Sequence, residues 1–193
     1  QYPVGLAYLL ARIADTIVDD RFNNNKSKLE MLLELRVQIN KTGDSKDTKI
    51  MTFRIGEKNE SVKENQIIEK LPLVLKAIDD LEKNDTIEVI NLVDTITSGM
   101  ELELSTFFEH QTDENIIAIP TMQDQEKYIY LVAGCVGEFW TNMTIRHTSS
   151  LSRHDTDYMR TLGVNFGKAL QLTNIIRDVP TDIRSGRCYI PAS

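Results

Sequence analysis

Apolar residues recur at spacings of three and four along one stretch near the middle of the chain, and this pattern constrains the fold most. The stretch runs from Asp85 to about His110, and its apolar positions are Val89, Val93, Ile96, Met100, Leu104 and Phe107. This spacing places side chains on one face of an α-helix. Asp85 is the predicted N-cap, with Glu88 completing a capping box. The sequence therefore predicts a long amphipathic helix with one buried face.

Helical patterns cover most of the remaining sequence. We predict further helices over residues 3–21, 27–40, 62–81, 121–149 and 155–178. Their predicted N-caps are Ser27, Thr121 or Asp124, and Asp155. Pro72 and Pro180 lie inside helical patterns and are expected to interrupt or kink them. No strand of useful length is apparent, so the predicted fold class is all-α.

Two of these segments carry faces that predict how they pack. The 27–40 helix is expected to bury the apolar residues Leu29, Leu32, Leu33, Val37 and Ile39. The 121–149 helix has a face of small residues suited to close contact with another helix, namely Ala133, Gly134, Gly137 and Thr141. Residues 41–61 are instead rich in Lys, Asp, Ser and Thr, which predicts a mobile surface loop.

The composition is that of an ordinary globular protein, with 193 residues, 26% charged residues and a net charge of −7. We predict a single domain over residues 1–193. The negative charge argues against nucleic acid as a partner, because phosphate contacts require basic patches. The two cysteines, Cys135 and Cys188, form no CxxC pair, which favours a reducing, cytoplasmic location over a disulfide framework. No apolar run is long enough for a membrane-spanning helix.

An acidic cluster follows the uncharged segment near the start of the chain. Asp15 and Asp19 are four residues apart and share one face of a helix, and Arg12 lies three residues before Asp15 on that face. Asp20 points away by roughly 100°. Paired carboxylates can hold a hard divalent cation through oxygen. A solvated helix end has the same pattern, so the cluster alone leaves both interpretations open.

A second acidic cluster near the end of the chain repeats this arrangement. If a helix continues through Pro180, one of its faces carries Gln171, Asn174, Asp178 and Asp182. Arg177 and Arg187 lie nearby in the sequence. Carboxylates and amides are oxygen ligands that suit Mg²⁺. Alone, this cluster favours an acidic helix end held by local ion pairs over a metal site.

Taken together, the two clusters predict a chemistry. If they face each other across a helical bundle, their aspartates can hold Mg²⁺ ions that bridge to a diphosphate, and arginines can bind the remaining oxygens. The cations would neutralise charge on the departing diphosphate. The carbocation that results requires an apolar pocket, which helix faces rich in Leu, Ile, Val and Phe supply. The predicted reaction is metal-assisted ionisation of an allylic diphosphate.

Three segments carry a family resemblance. They are residues 8–20 (YLLARIADTIVDD), residues 128–137 (YIYLVAGCVG) and residues 170–191, which contain NIIRD, GR and YIP. They resemble the first aspartate-rich motif, the central tyrosine-containing helix and the second aspartate-rich motif of the squalene and phytoene synthases, which join two prenyl diphosphates head to head. The Gly-Met pair at residues 99–100 also matches. The resemblance implies a class I isoprenoid synthase helical bundle with a central cavity, here truncated at both ends.

The resemblance implies roles for individual residues. The residues that would bind Mg²⁺ are Asp15, Asp19, Asp178 and Asp182. The residues that would hold the diphosphate are Arg12, Arg177, Arg187, Gln171 and Asn174. Tyr128 would lie beside the cationic centre and steer or deprotonate it, and Lys63 is a candidate contact to the substrate or to NADPH. Val18 and Thr181 depart from the family pattern, which is often acidic at these positions.

In the family reaction, one prenyl diphosphate ionises and is attacked by the double bond of a second, which gives a cyclopropylcarbinyl diphosphate. This intermediate ionises in turn and rearranges. We expect farnesyl diphosphate as the substrate and squalene or dehydrosqualene as the product, with NADPH required for squalene. The alternatives are a phytoene synthase acting on geranylgeranyl diphosphate, a head-to-tail prenyl synthase or terpene cyclase, and a degenerate helical protein that binds a prenyl lipid or a partner without catalysis. A monomer is expected, with peripheral membrane contact left open because the product is apolar.

Overall fold

The computed structural model of this protein describes residues 2–19, 24–41, 67–108, 115–151 and 155–193. Most of these residues are helical, which confirms the predicted all-α class. The predicted loop at residues 41–61 lies, apart from Lys41, outside the described residues, as do Asp20 and Lys63. The chain divides into two compact units, Gln1–Thr97 and Ser98–Ser193, and a single domain over the whole chain stays a prediction.

The helices are α1 (Tyr2–Asp19), α2 (Asn25–Asn40), α3 (Leu71–Asp79), α4 (Lys83–Phe108), α5 (Met122–Ile129), α6 (Cys135–His147) and α7 (Thr156–Arg184). A π-helical turn, Tyr130–Gly134, joins α5 to α6. The strands β1 (Ile117–Ala118) and β2 (Arg187–Cys188) pair in parallel. Each predicted helix has a counterpart here. In the described part of the chain, none of them is long and apolar enough to cross a membrane.

In the first unit, α1 packs against α2 and α3. Its fully buried residues recur at helical spacing and are Leu10, Ile13, Ala14 and Ile17. Pro3 lies in the first turn, where its missing N–H costs no hydrogen bond. Burial of the apolar face fixes how the acidic residues are presented, with Asp15 half-buried and Asp19 exposed.

Two of the predicted N-caps are wrong. Helix α2 is capped by Asn24 rather than Ser27, because the extended Asn24 accepts a hydrogen bond of 2.9 Å from the Ser27 backbone N–H. Helix α4 begins at Lys83, and Asp85 lies inside its first turn with 3% exposure. The N-caps were placed wrongly because short polar and acidic residues are favoured both at N-caps and in the first turn of a helix.

The buried face of α2 also differs from its prediction. Leu33 and Val37 are 50% and 44% exposed, so their predicted burial is wrong. The residues that are fully buried on this helix are Leu32, Leu35 and Ile39. These residues are three and four positions apart, as expected for one face of a helix. The predicted buried set did not include Leu35.

The predicted interruption near Pro72 and the predicted stripe of α4 are both confirmed. A turn at Lys70 separates α3, which has Pro72 in its first turn, from the helical residues 67–69. In α4, six apolar residues are at most 7% exposed, namely Val89, Val93, Ile96, Met100, Leu104 and Phe107. Because this face is buried, the directions of the remaining side chains of the helix are fixed as well.

In the second unit, the segment from α5 to α6 forms one continuous run of helix. Thr121 caps α5 as predicted, since its hydroxyl accepts from the Asp124 backbone N–H at 3.1 Å and donates to the Asp124 carboxylate at 2.6 Å. The π-helical turn at Tyr130–Gly134 was not predicted. Such a turn inserts a residue into the helix, so the faces of α6 are rotated relative to those of α5.

Helix α7 is capped by Asp155, as predicted. The Asp155 carboxylate accepts hydrogen bonds of 3.1 Å from the backbone N–H groups of Asp157 and Tyr158. The helix then continues through Pro180 to Arg184, so an interruption at Pro180 does not occur. Pro180 removes one backbone hydrogen bond to residue 176, a position where the side chain is 71% exposed and water can replace the missing donor.

The contact between α6 and α7 is made at backbone distance. A Cβ atom added to Gly137 would lie 1.9 Å from the carbonyl oxygen of Gly163. One added to Gly167 would lie 2.3 Å from the carbonyl oxygen of Ala133. Protein interiors have no room for such overlap, so only glycine fits at these positions. The predicted small-residue face is therefore confirmed, and its partner is α7.

The two short strands hold the segment that follows α7. Gly186 has a φ of 74°, in the left-handed region that favours glycine, and turns the chain into β2. The Ile117 backbone N–H donates to the Gly186 carbonyl at 2.9 Å, and Gln125 Nε2 donates to the Tyr189 carbonyl at 2.8 Å. These bonds fix Arg187 and Tyr189 beside the start of α5.

Replacing Gly137 by alanine tests the backbone contact. The new Cβ has no room, so α6 and α7 must shift, and we expect the free energy of unfolding to fall by about 1–3 kcal/mol. Gly5→Ala is the matched control, because nothing lies within 4 Å of a Cβ added there. Helix propensity predicts that this control gains about 1 kcal/mol. Urea unfolding followed by circular dichroism measures both, and an unchanged Gly137→Ala variant would contradict the close contact.

Candidate functional site

Helix α7 carries the residues predicted for the second acidic cluster. Because the helix continues through Pro180, one of its faces carries Gln171, Asn174, Asp178 and Asp182. All four are half-buried. Asn174 Nδ2 donates to Gln171 Oε1 at 3.5 Å, so the two amides are neighbours. This arrangement places amides and carboxylates in a row along the helix.

Asp178 is paired with its neighbour Arg177. Arg177 Nε donates to Asp178 Oδ1 at 2.8 Å, and its Nη2 donates to Oδ2 at 2.6 Å. These hydrogen bonds lower the pKa of Asp178 below its usual value, because the guanidinium favours the charged carboxylate. Asp178 is therefore ionised at neutral pH and held beside a predicted diphosphate-binding arginine.

Asp182 interacts with both Arg187 and Asp178. Burial raises the pKa of Asp182 above its usual value, the charge of Arg187 lowers it, and the charge of Asp178 raises it. The two carboxylates thus repel each other, as like charges that share a site do. The second unit therefore brings together Asp178, Asp182 and Arg187, three of the predicted site residues.

Glu103 on α4 is a residue of this region that the sequence did not predict. Its Oε1 accepts hydrogen bonds from the Tyr189 hydroxyl and from Arg187 Nη1, the latter at 3.3 Å. Its Oε2 accepts from the Tyr128 hydroxyl at 3.2 Å. The only available signal was its position directly before Leu104, at the edge of the buried stripe.

Tyr128 belongs to a buried aromatic cluster. It is 6% exposed and stacks on Tyr189, with 5.3 Å between the ring centroids. Phe107 contacts Tyr189 edge-on at 4.8 Å. Burial raises the pKa of both phenols above the usual range, and the negative charge of Glu103 raises it further. Both hydroxyls therefore stay protonated and act as donors to Glu103.

An apolar groove of about 740 Å³ runs between α7 on one side and the π-helical turn and α6 on the other. The large apolar side chains that line it include Val136, Trp140, Leu162 and Phe166. Gln171 and Asn174 also line it, so the groove meets the polar face that carries Asp178. An apolar concavity of this size with a few polar groups is typical of a small-molecule site.

The predicted residues of the first acidic cluster lie on α1 in the first unit. Arg12 and Asp15 are half-buried, and Asp19 is exposed near the end of the helix. Lys28 of α2 is 8% exposed and donates to the Val18 carbonyl at 2.6 Å, which ties down the end of α1. That this cluster faces the second one stays a prediction.

The second acidic cluster can hold Mg²⁺ together with ligands from outside the protein. Within the described ranges, no group of three or more His, Cys, Asp or Glu side chains is arranged to hold a metal ion. Mg²⁺ is commonly held by one or two carboxylates, with water and substrate phosphate oxygens completing its shell. Asp178 and Asp182 supply two carboxylates whose mutual repulsion a cation would relieve. The donor set therefore fits Mg²⁺ that enters with a diphosphate.

The chain is similar to curated proteins with related activities. The squalene synthase of Candida albicans is 26% identical over 189 residues, covering 97% of this chain and 39% of that protein. The bifunctional lycopene cyclase/phytoene synthase of Arthroderma gypseum is 28% identical over 194 residues, covering 96% of this chain and 29% of that protein. The chain thus spans well under half the length of these relatives.

A solved structure matches the fold. The complex of TcSQS with the ligand BPH1237 matches with a TM-score of 0.65 and 25% sequence identity, covering 98% of this chain and 49% of that chain. The shared architecture is the terpenoid synthase helical fold. The family model for squalene/phytoene synthase matches residues 1–193. This protein therefore belongs to the squalene/phytoene synthase family.

Proposed function

We propose that this protein takes part in the head-to-head condensation of two prenyl diphosphates, with farnesyl diphosphate as the preferred substrate. Its family supports the reaction class, since the squalene and phytoene synthases among its relatives are prenyltransferases. The observation that carries the proposal is the groove between α6 and α7, which leads from apolar side chains to the polar face with Asp178 and Asp182. A prenyl diphosphate has the same two parts, an apolar chain and an anionic end.

The groove would hold the isoprenoid chain. Its lining includes Trp140, Leu162 and Phe166, and each buried methylene of a ligand contributes about 0.8 kcal/mol to binding. A chain seated there displaces water from the carbons at which positive charge develops. The groove would therefore supply both affinity for the prenyl chain and protection of the cation.

The polar end of the groove would hold the diphosphate. Asp178 and Asp182 are the proposed Mg²⁺ ligands, and the family depends on Mg²⁺ in general. When bound, the ion would neutralise negative charge on the departing diphosphate. Arg177 and Arg187 would contact phosphate oxygens, for which the paired N–H groups of a guanidinium are suited. The amides that would orient the diphosphate are Gln171 and Asn174.

Tyr128 would lie beside the reacting carbons. It is one turn before Val132, which lines the groove and packs against the aromatic cluster. Because its phenol stays protonated, Tyr128 presents a neutral ring and a hydroxyl dipole rather than a phenolate. The face of an aromatic ring attracts positive charge. The proposed role of Tyr128 is therefore to steer the cation.

The remaining assignments rest on the sequence resemblance. Asp15 and Asp19 would bind further Mg²⁺, with Arg12 contacting the diphosphate. Lys63 would lie near the substrate or NADPH. A monomeric state, a cytoplasmic location and peripheral contact with a membrane are proposed on the same basis.

Product analysis tests the proposal and separates its alternatives. The protein is incubated with Mg²⁺ and radiolabelled farnesyl diphosphate, with and without NADPH, and in parallel with geranylgeranyl diphosphate. We expect farnesyl diphosphate to release diphosphate and yield a C30 hydrocarbon. A C40 product from geranylgeranyl diphosphate alone would indicate a phytoene synthase. Binding of either substrate without turnover would refute the proposed catalytic activity and indicate a prenyl-lipid-binding protein.

Removing Asp178 tests the polar end of the site. We expect Asp178→Ala to lower turnover by at least about a hundredfold, because a metal contributes several kcal/mol of charge stabilisation. Helical content should not change. Asp157→Ala is the matched control, since Asp157 lies on the same helix, is 90% exposed and also pairs with an arginine, Arg160, at 2.6 Å. Steady-state assays and circular dichroism measure both, and retained activity in Asp178→Ala would refute the site assignment.

A substitution in the groove tests the apolar end separately. Leu162 lines the groove and is 49% exposed, whereas Leu172 is 39% exposed on the same helix outside the groove. We expect Leu162→Gln to weaken binding of farnesyl diphosphate about tenfold, since an apolar side chain contributes about 1.5 kcal/mol or more when covered. Calorimetry should show unchanged binding of inorganic diphosphate, and Leu172→Gln should change neither affinity. Equal losses for both ligands would contradict a separate prenyl groove.

A further inference from the structure

Glu103 gathers three donors from different segments of the second unit. Tyr128 lies near the end of α5, whereas Arg187 and Tyr189 follow α7. Glu103 Oε1 accepts from the Tyr189 hydroxyl and Arg187 Nη1, and Oε2 accepts from the Tyr128 hydroxyl. The side chain of Glu103 is 16% exposed. Placing a carboxylate in such surroundings costs free energy, which these donors offset.

Arg187 links this cluster to the proposed diphosphate site. Its Nη1 lies 3.3 Å from Glu103 Oε1. Its Nε is buried and, within the described part of the chain, has no hydrogen-bond acceptor. Its charge also acts on Asp182, where it opposes the burial that raises the pKa of that carboxyl. Arg187 therefore interacts with Glu103 and Asp182 and retains an unused donor at Nε.

We propose that Glu103 is a positioning residue, which holds the guanidinium of Arg187 and the hydroxyl of Tyr128 in one arrangement beside the diphosphate of the substrate. This inference rests on the proposed function and deepens it. The carboxylate fixes the guanidinium through Nη1 and leaves its other N–H groups to donate to phosphate oxygens. The same carboxylate also accepts a hydrogen bond from Tyr128. The distance between the Arg187 guanidinium and the ring of Tyr128 is therefore fixed.

Electrostatic repulsion alone gives the opposite expectation. A carboxylate close to a diphosphate repels it, so removing the charge of Glu103 strengthens binding if the position of Arg187 does not depend on it. If Glu103 positions Arg187, removing the charge weakens binding despite the relief of repulsion. The sign of the change in affinity therefore separates the two accounts.

The test is a calorimetric titration of the full chain with inorganic diphosphate in the presence of Mg²⁺. We expect Glu103→Gln to weaken binding about tenfold, the usual effect of losing hydrogen bonds to a charged group. Glu138→Gln is the matched control, because Glu138 is another glutamate of this unit that accepts from a tyrosine hydroxyl, that of Tyr130, at 2.8 Å. The control should change the affinity by less than about twofold, the usual range for a substitution away from a site.

A second background shows whether Glu103 acts through Arg187. In a chain that already carries Arg187→Gln, we expect Glu103→Gln no longer to weaken binding, because the guanidinium it positions is absent and only the relief of repulsion remains. A merely structural role for Glu103 would give the same loss in both backgrounds and would overturn the inference.

If Glu103→Gln does not fold, as judged by circular dichroism, Tyr189→Phe carries the test. It removes the hydroxyl that shares Oε1 with Arg187 and keeps the ring that stacks on Tyr128. We expect about threefold weaker binding of diphosphate. Unchanged or tighter binding by the folded variant overturns the inference alone. No binding by the unsubstituted chain overturns the proposed function and the inference with it.

Discussion

The backbone contact between α6 and α7 is the constraint on which the second unit depends. Gly137 and Gly163 leave no room for a side chain where the helices meet. Larger side chains lie to one side of this contact, so an apolar groove remains beside it. The contact also fixes the register of the two helices, and the groove therefore meets α7 at Gln171 and Asn174, about one turn before Asp178. One steric condition thus sets both the apolar groove and its position relative to the carboxylates.

The partly buried carboxylate of Glu103 imposes a second condition on the same unit. The donors to Glu103 include Arg187 and Tyr189, which reach it because Gly186 turns the chain after α7 and the β1–β2 pair holds the segment in place. Loss of a donor to a partly buried carboxylate costs up to about 1–3 kcal/mol. The position of this segment is therefore stabilised by charge as well as by backbone hydrogen bonds. Burial and the charge of Glu103 together raise the pKa of Tyr128, so its phenol stays protonated.

Features that repeat along a helix could be predicted from the sequence, whereas features that depend on a distant partner could not. The α4 stripe from Val89 to Phe107 was predicted correctly because burial recurs every three or four residues. The caps at Ser27 and Asp85 were predicted wrongly because their residue types also suit the first turn. Glu103 had no motif, since its partners lie up to 86 residues away and a lone glutamate in a helix resembles a solvated one. The π-helical turn was missed because apolar spacing does not specify which backbone groups bond.

The charges at the polar end explain why diphosphate binding, as proposed, would depend on the metal. Asp178, Asp182 and Glu103 supply three carboxylates against the guanidiniums of Arg177 and Arg187. These groups already carry a net negative charge, and the two arginines are paired with Asp178 and Glu103. A bare diphosphate would add further negative charge and be repelled. A divalent cation that enters with it reverses the balance, because its positive charge lies between the carboxylates and the phosphate oxygens. The carboxylates that repel a free diphosphate therefore attract a metal-bound one, which couples substrate binding to the cation.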